Sequence, residues 1–317
     1  MPRVDAHVHI LPSDYRAELE RRSLLPPGIP PWAPELVDDL MARHDIDAGV
    51  LSLGPPGVFF GDQALANELA RLVNERTAQF VAGARDRFAG LAVLPLPDVE
   101  AALAELRHAL DVLELDGVGL LSNIAGMYPG DAAWDPLFDE LDRRGAYVFL
   151  HPTLPPHALA LPAHPVWLYE FPFDTTRALA NLIYGGTLER CPHVRLQVAH
   201  LGGTAPFLAH RLASLTAREP DLASAAPAGA LAYLQRLYYD TGLANNTVAL
   251  ASTLQVTDSN HIVFGTDWPY ADLPDHGDPA PGLTDLDHAI RTRIDATNIT
   301  ALVPRLAARA GDPAAPF

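Results

Sequence analysis

The chain has 317 residues, 49% of them hydrophobic, with a formal net charge of -17. That apolar content supplies a large core and excludes global disorder, while the acidic balance excludes a nucleic-acid surface, which needs clustered Lys and Arg. All 22 basic residues are arginine, and the single cysteine, Cys191, excludes an intrachain disulfide framework and a Cys-based metal cluster.

Near the N-terminus, Val4-Asp5-Ala6-His7-Val8-His9-Ile10 predicts a first strand. Alternation sends residues i and i+2 to one face, so His7 and His9 point inward together while Ala6 and Val8 point the other way. Two imidazoles on one face are half a metal site, or two core histidines each satisfied by a hydrogen bond; the short pattern alone leaves both open. No basic segment followed by an apolar one precedes this strand, and no apolar run reaches membrane-spanning length, so the expectation is a soluble, cytoplasmic protein.

A long loop follows over 11–34, with a short helix around 15–22, then a helix over 34–44 and a buried strand at Ala48-Gly49-Val50-Leu51-Ser52-Leu53. A helix over 62–80 precedes strand three, Phe88-Ala89-Gly90-Leu91-Ala92-Val93-Leu94, and Asp98 caps the next helix, through 113. Strand four is Gly117-Val118-Gly119-Leu120-Leu121, a helix covers 134–144, and strand five is Tyr147-Val148-Phe149-Leu150-His151. A proline-rich loop over 152–173 carries Trp167, Tyr169, Phe171 and Phe173 and leads into a helix over 174–190. Strand six, Arg195-Leu196-Gln197-Val198-Ala199-His200, precedes a helix over 205–217. Leu237-Tyr238-Tyr239-Asp240 is a shorter seventh strand, His261-Ile262-Val263-Phe264-Gly265-Thr266-Asp267 the eighth, and helices including 298–309 follow. Eight strands alternating with helices, mostly as continuous apolar runs, predict a parallel (β/α)8 TIM barrel with long loops after strands one and five. No linker or repeat favours two domains, so 1–317 is read as a single barrel domain.

In such a barrel the active site gathers at the C-terminal ends of the strands. There the sequence places His7, His9, His151, His200 and Asp267, and a Pro or Gly soon after His151, His200 and Asp267 ends each strand. Clustered His and Asp at a barrel rim point to catalysis rather than packing.

Asp-x-His-x-His on strand one, His-Pro-Thr on five, His-Leu-Gly-Gly on six and Gly-Thr-Asp-Trp-Pro on eight resemble the amidohydrolase superfamily over nearly the whole chain. More narrowly, they resemble its branch of aminocarboxymuconate-semialdehyde, γ-resorcylate and 6-methylsalicylate decarboxylases. The stretch from Glu170-Phe171-Pro172-Phe173-Asp174-Thr175-Thr176-Arg177 to Asn181-Leu182-Ile183-Tyr184-Gly185-Gly186 is most similar to the 6-methylsalicylate group. Binuclear members of the superfamily commonly use a carboxylated lysine to bridge two metals, and this chain has none. The resemblance therefore implies one divalent ion held by His7, His9, His151 and Asp267, without an organic cofactor. Zinc suits three imidazoles and a carboxylate, and manganese is compatible.

The resemblance further implies that His200 is an acid/base residue, that Asp267 or His200 delivers the proton, and that Tyr270 and Arg211 contact substrate, with an ordinary salt bridge on the strand-six helix the alternative for Arg211. Trp167, Phe171 and Phe59 are expected to line its pocket, and relatives imply a homodimer. The strand-two loop Gly54-Pro55-Pro56-Gly57-Val58-Phe59-Phe60 lacks the arginine with which some relatives hold a substrate carboxylate, implying a smaller, less charged aromatic acid. The segment 297–305 also departs from the family pattern and is expected to pack rather than catalyse. His44, His108, His193, His261, His276 and His288 are read as surface or structural, Cys191 has no activating partner, and His157 and His164 sit in the loop over the mouth.

The implied function is non-oxidative decarboxylation of a small ortho-hydroxybenzoate of the 6-methylsalicylate type. The alternative is metal-dependent hydrolysis of a lactone, ester or amide, which the same ligand set serves. A catalytically dead homologue would predict a broken ligand set, and all five rim residues are present.

Overall fold

A computed structural model describes residues 2–158, 161, 163–216, 218–275 and 277–307. Eight parallel strands follow in chain order around one sheet: β1 (Val4–His9), β2 (Ala48–Ser52), β3 (Phe88–Val93), β4 (Gly117–Leu121), β5 (Tyr147–His151), β6 (Arg195–Val198), β7 (Tyr238–Asp240) and β8 (Ile262–Val263). The sheet closes where the chain after β8 meets β1: Ala6 N–H donates to Phe264 O and Asp267 N–H to His7 O, both at 2.8 Å, and Val8 bridges Trp268 in parallel. Helices between the strands complete the expected (β/α)8 barrel.

The strands are continuous apolar runs because both of their faces are covered. Val50, Leu91, Tyr147 and Phe149 pack inside, whereas Leu51, Val118, Leu150 and Val198 face the helices. Ile299, Leu302 and Leu306 join the inner cluster, closing the end of the barrel opposite the rim. Arg305 fastens this plug through Asp116, with Nη2 at 2.7 Å from Oδ2.

The outcome differs from simple alternation on β1. Ala6 belongs to the inner cluster with Val4, not to the outer layer with Val8. Its pairing to β2 shifts register between Asp5 and Val8, a bulge that brings both Ala6 and the following His7 to the interior.

The helix after β5 also differs, spanning Trp167–Tyr184 with Pro172 inside it. It therefore includes most of the aromatic stretch expected as loop. Pro172 lies in the second turn, and the Thr175 and Thr176 hydroxyls bond back to the Phe171 and Pro172 carbonyls at 3.1 and 2.9 Å. The expected helix over 298–309 is instead two short 3₁₀ turns, Asn298–Ala301 and Pro304–Leu306, because Pro304 cannot donate to continue it. Residues 308 and 309 lie outside the described residues.

Candidate metal centre

At the C-terminal rim, β1 ends in His7 and His9, β5 in His151, and the turn after β8 presents Asp267. One ligand atom from each lies within 4.8 Å of all the others, and all four residues are buried. Asp267 Oδ1 is 3.0 Å from His7 Nε2, 2.9 Å from His9 Nε2 and 3.6 Å from His151 Nε2.

The other ring nitrogens are turned outward to fixed acceptors. His7 Nδ1 donates to Asp240 Oδ1 at 3.0 Å, His9 Nδ1 to the Ser52 carbonyl at 3.2 Å, and His151 Nδ1 to the Pro152 carbonyl at 2.7 Å. Three Nε2 lone pairs thus converge on one point, an arrangement typical of metal-ligating imidazoles. Three glycines make room for the rings. A Cβ at Gly242 or Gly265 would lie 2.7 Å from His7, and one at Gly54 would lie 2.9 Å from the His9 ring.

The residues fit a divalent cation on two observations. Among the described residues His151 Nε2 is buried without a hydrogen-bond partner, which is costly unless an electrophile takes its lone pair. Burial pulls the His7 imidazole down, but Asp240 and Asp267 outweigh it and push the group up to about 10, so this point favours positive charge. At His151 burial prevails and pushes the ring down to about 3. Burial would raise Asp267, yet the charge on His7 and the contact with His200 hold it well below the usual carboxylate range. The donor set of three imidazoles and one carboxylate, in a chain with a single distant cysteine, is that of a catalytic rather than an all-thiolate structural site.

His200 stands beside this set, with Nε2 3.3 Å from Asp267 Oδ2. Tyr270 meets the His9 ring edge-on at 5.2 Å and donates its hydroxyl to the Pro55 carbonyl at 2.9 Å. Phe171 faces His151 at 6.3 Å. Its helix is tied to the rim by the fully buried Asp174, which accepts from Ser122 Oγ, from Asn123 Nδ2 at 2.8 Å and from the Tyr128 hydroxyl at 2.6 Å. The same Ser122 Oγ accepts Thr153 N–H at 2.9 Å, just after His151.

Other expected site residues lie farther out. Trp167 is half exposed at the start of its helix, Phe59 is partly buried against the Leu11, Tyr15 and Leu65 cluster, and Arg211 is exposed on the helix Ala205–Thr216. His157 and His164 are exposed, and His276 lies outside the described residues. The sequence reading missed Asp240, Gln197 and Ser52. Asp240 had a usable signal, since it ends a strand at the same rim, whereas the Ser52 and Pro152 carbonyls carry no signal in residue identity.

The amidohydrolase family model matches residues 4–305. The chain is 32% identical over 278 residues to the 6-methylsalicylic acid decarboxylase of Penicillium expansum, covering 86% of each chain. It is 35% identical over 279 residues to the 6-methylsalicylic acid decarboxylase of Aspergillus aculeatus, covering 85% of this chain and 84% of that one. Among solved structures, an amidohydrolase II superposes with a TM-score of 0.86 at 27% identity, over 95% of this chain and 99% of the other. A dihydroxybenzoic acid decarboxylase from Polaromonas sp. JS666, solved with bound manganese, has the same fold with a TM-score of 0.76 at 24% identity over 99% of both chains. The match spans β1 to the plug that closes the barrel, and the chain belongs to the amidohydrolase family.

Proposed function

We propose that this protein is a metal-dependent, non-oxidative decarboxylase of a small ortho-hydroxybenzoate, of the 6-methylsalicylate type. The observation that carries this reading is the intact buried cluster of His7, His9, His151 and Asp267 with His200 against it, in a chain 32% and 35% identical to two 6-methylsalicylic acid decarboxylases. Zinc is the proposed ion, on the chemistry of three imidazoles and one carboxylate, with manganese the competing occupant.

His7, His9, His151 and Asp267 would hold a divalent ion, which would supply fixed positive charge for an anionic substrate. Tyr270 and Phe171 offer apolar ring faces that orient a flat aromatic acid, and the burial of the histidines excludes bulk water. The His200–Asp267 pair holds a proton for the ring carbon bearing the carboxylate. As that C–H bond forms, the ring loses aromaticity. The C–C bond to the carboxylate then breaks, its electron pair returns to the ring, and carbon dioxide leaves. The pair regains its proton from water, and nothing is oxidised or reduced.

Trp167, Phe59 and the exposed Arg211 are proposed as outer contacts that receive the acid. We take 1–317 as one barrel domain acting as a homodimer, supported by the half-exposed apolar side chains of Trp167, Leu168 and Phe173 on one helix. The lone cysteine supports a reducing, cytoplasmic setting.

Incubating metal-loaded protein with 6-methylsalicylate and with a panel of lactones and esters tests the reaction class. Carbon dioxide and 3-methylphenol are the expected products. Ring opening of a lactone without carbon dioxide release from any hydroxybenzoate would assign the site to hydrolysis instead.

A further inference from the structure

We infer that Asp240 is a positioning residue that sets both functional histidines at once: it fixes the His7 ring in its ligating tautomer and holds the His200 backbone at the rim. The inference rests on the metal-centre reading above and extends it to a residue that touches no reacting atom.

Asp240 is fully buried at the end of β7 and accepts four hydrogen bonds. Oδ1 takes His7 Nδ1–H at 3.0 Å, His200 N–H at 3.1 Å and Gly242 N–H at 3.0 Å; Oδ2 takes Gln197 Nε2–H at 2.9 Å. One carboxylate oxygen therefore joins a residue of the ligand set to the backbone of the residue beside Asp267. His200 needs this hold, since its φ of 57° lies in the left-handed region, costly for a residue with a side chain.

Gln197 makes the arrangement directional. Its Nε2 faces Asp240 Oδ2 and the Ala6 carbonyl at 3.2 Å, both of them acceptors only, so its Oε1 must accept the Tyr147 hydroxyl at 2.7 Å. The chain runs Tyr147 to Gln197 to Asp240, with His7 donating from the far side. Both Asp240 oxygens are thus required to accept. An asparagine there cannot comply: its NH2 would meet either Gln197 Nε2–H or the three donors at Oδ1. One relief is transfer of the His7 proton from Nδ1 to Nε2, so that Nδ1 accepts the amide and Nε2 no longer offers its lone pair to a metal.

The test measures zinc affinity by chelator competition in Asp240→Asn and in Gln197→Ala, each checked for fold by circular dichroism and thermal unfolding. Gln197→Ala disturbs the same buried chain but leaves Asp240 Oδ1 on His7. The expected result is a zinc dissociation constant raised about 10- to 100-fold in Asp240→Asn, the usual cost of removing such an outer partner, and little changed in Gln197→Ala. Equal losses in the two variants, tracking their loss of stability, would reduce Asp240 to a structural role. Should Asp240→Asn not fold, long-range imidazole nitrogen NMR of the zinc-loaded wild type decides: a hydrogen-bonded His7 Nδ1–H supports the inference, and an Nε2–H tautomer overturns it. Failure of the wild type to bind zinc or manganese would instead defeat the metal-centre reading itself.

Discussion

His200 Nε2 lies 3.3 Å from Asp267 Oδ2, and both residues hold positive φ angles, 57° and 63°. Non-glycine residues in that region cost about 1–3 kcal/mol each and persist where the surroundings over-determine them. Here the backbone turns sharply after β6 and before Pro269, and the two side chains meet over the ligand set. That pairing makes His200 separable by mutation from the ligands. His200→Asn should retain metal and fold while lowering turnover by about 10² to 10⁴, the usual range for a positioned acid or base. Metal analysis and steady-state kinetics check it. Loss of the ion would make His200 a ligand, and an unchanged rate would remove it from the mechanism.

The walls of the pocket predict which acids react. Tyr270 and Phe171 are aromatic, and the loop from Gly54 to Phe60 carries no arginine, so a second buried carboxylate would lack a partner and cost several kcal/mol. Monocarboxylic ortho-hydroxybenzoates with a small apolar substituent should therefore be decarboxylated faster than dicarboxylic muconate-like acids. Methylating the hydroxyl should abolish turnover, because an ether oxygen would carry no negative charge toward an ion held by the four rim residues. Competition assays between the two substrate classes, together with the methyl ether, decide this. A faster dicarboxylate or a reactive ether contradicts the pocket reading.

Asp174 ties the helix bearing Phe171 to the strand-four loop and, through Ser122, to Thr153 beside His151. Asp174→Ala would strand the buried donors of Ser122 and Asn123, and also loses Arg177 Nη1 at 3.3 Å. Arg177 is half exposed and keeps Glu170, so the loss comes from the stranded neutral donors, at about 1–3 kcal/mol each. Urea unfolding should show that loss; a change below about 1 kcal/mol would mean that the helix is held mainly by its apolar face.

At the opposite end, Arg291 pairs with Asp278 and with Asp295, both at 2.8 Å, and Arg3 reaches the same two carboxylates at 3.4 and 3.3 Å. Burial would raise Asp278, but the Arg291 hydrogen bonds and the charges of Arg291 and Arg3 hold it below its ordinary value. A depressed carboxylate contributes stability that is fully present above its unfolded pKa of about 3.9 and is lost as pH falls through the folded value. Asp278→Asn should thus lower Tm at pH 7, with the gap to wild type closing below about pH 4. A constant gap down to pH 3 would contradict this.

The rim ligands were legible because His7 and His9 alternate on the first strand while His151 and Asp267 each close an apolar run just before a Pro, and strand order alone brings all four to one end of a barrel. Asp240 was less so. Its strand is only three residues long, and its role depends on lying across the interior from His7, which no local pattern reports. Val8 faces outward as expected, whereas the face of Ala6 was misassigned because a bulge depends on the register with β2. The proline-rich stretch up to Phe173 read as loop, yet the helix begins at Trp167 and takes Pro172 into its second turn.

The most direct test of a metal-dependent decarboxylase is to strip the protein with chelator and titrate it with zinc, or separately with manganese, while following carbon dioxide release from 6-methylsalicylate. The rate should start near zero, rise in proportion to bound metal and level off at about one ion per chain, as a single four-ligand catalytic site requires. Full activity in the stripped protein, or a plateau reached only at two ions per chain, would contradict the account.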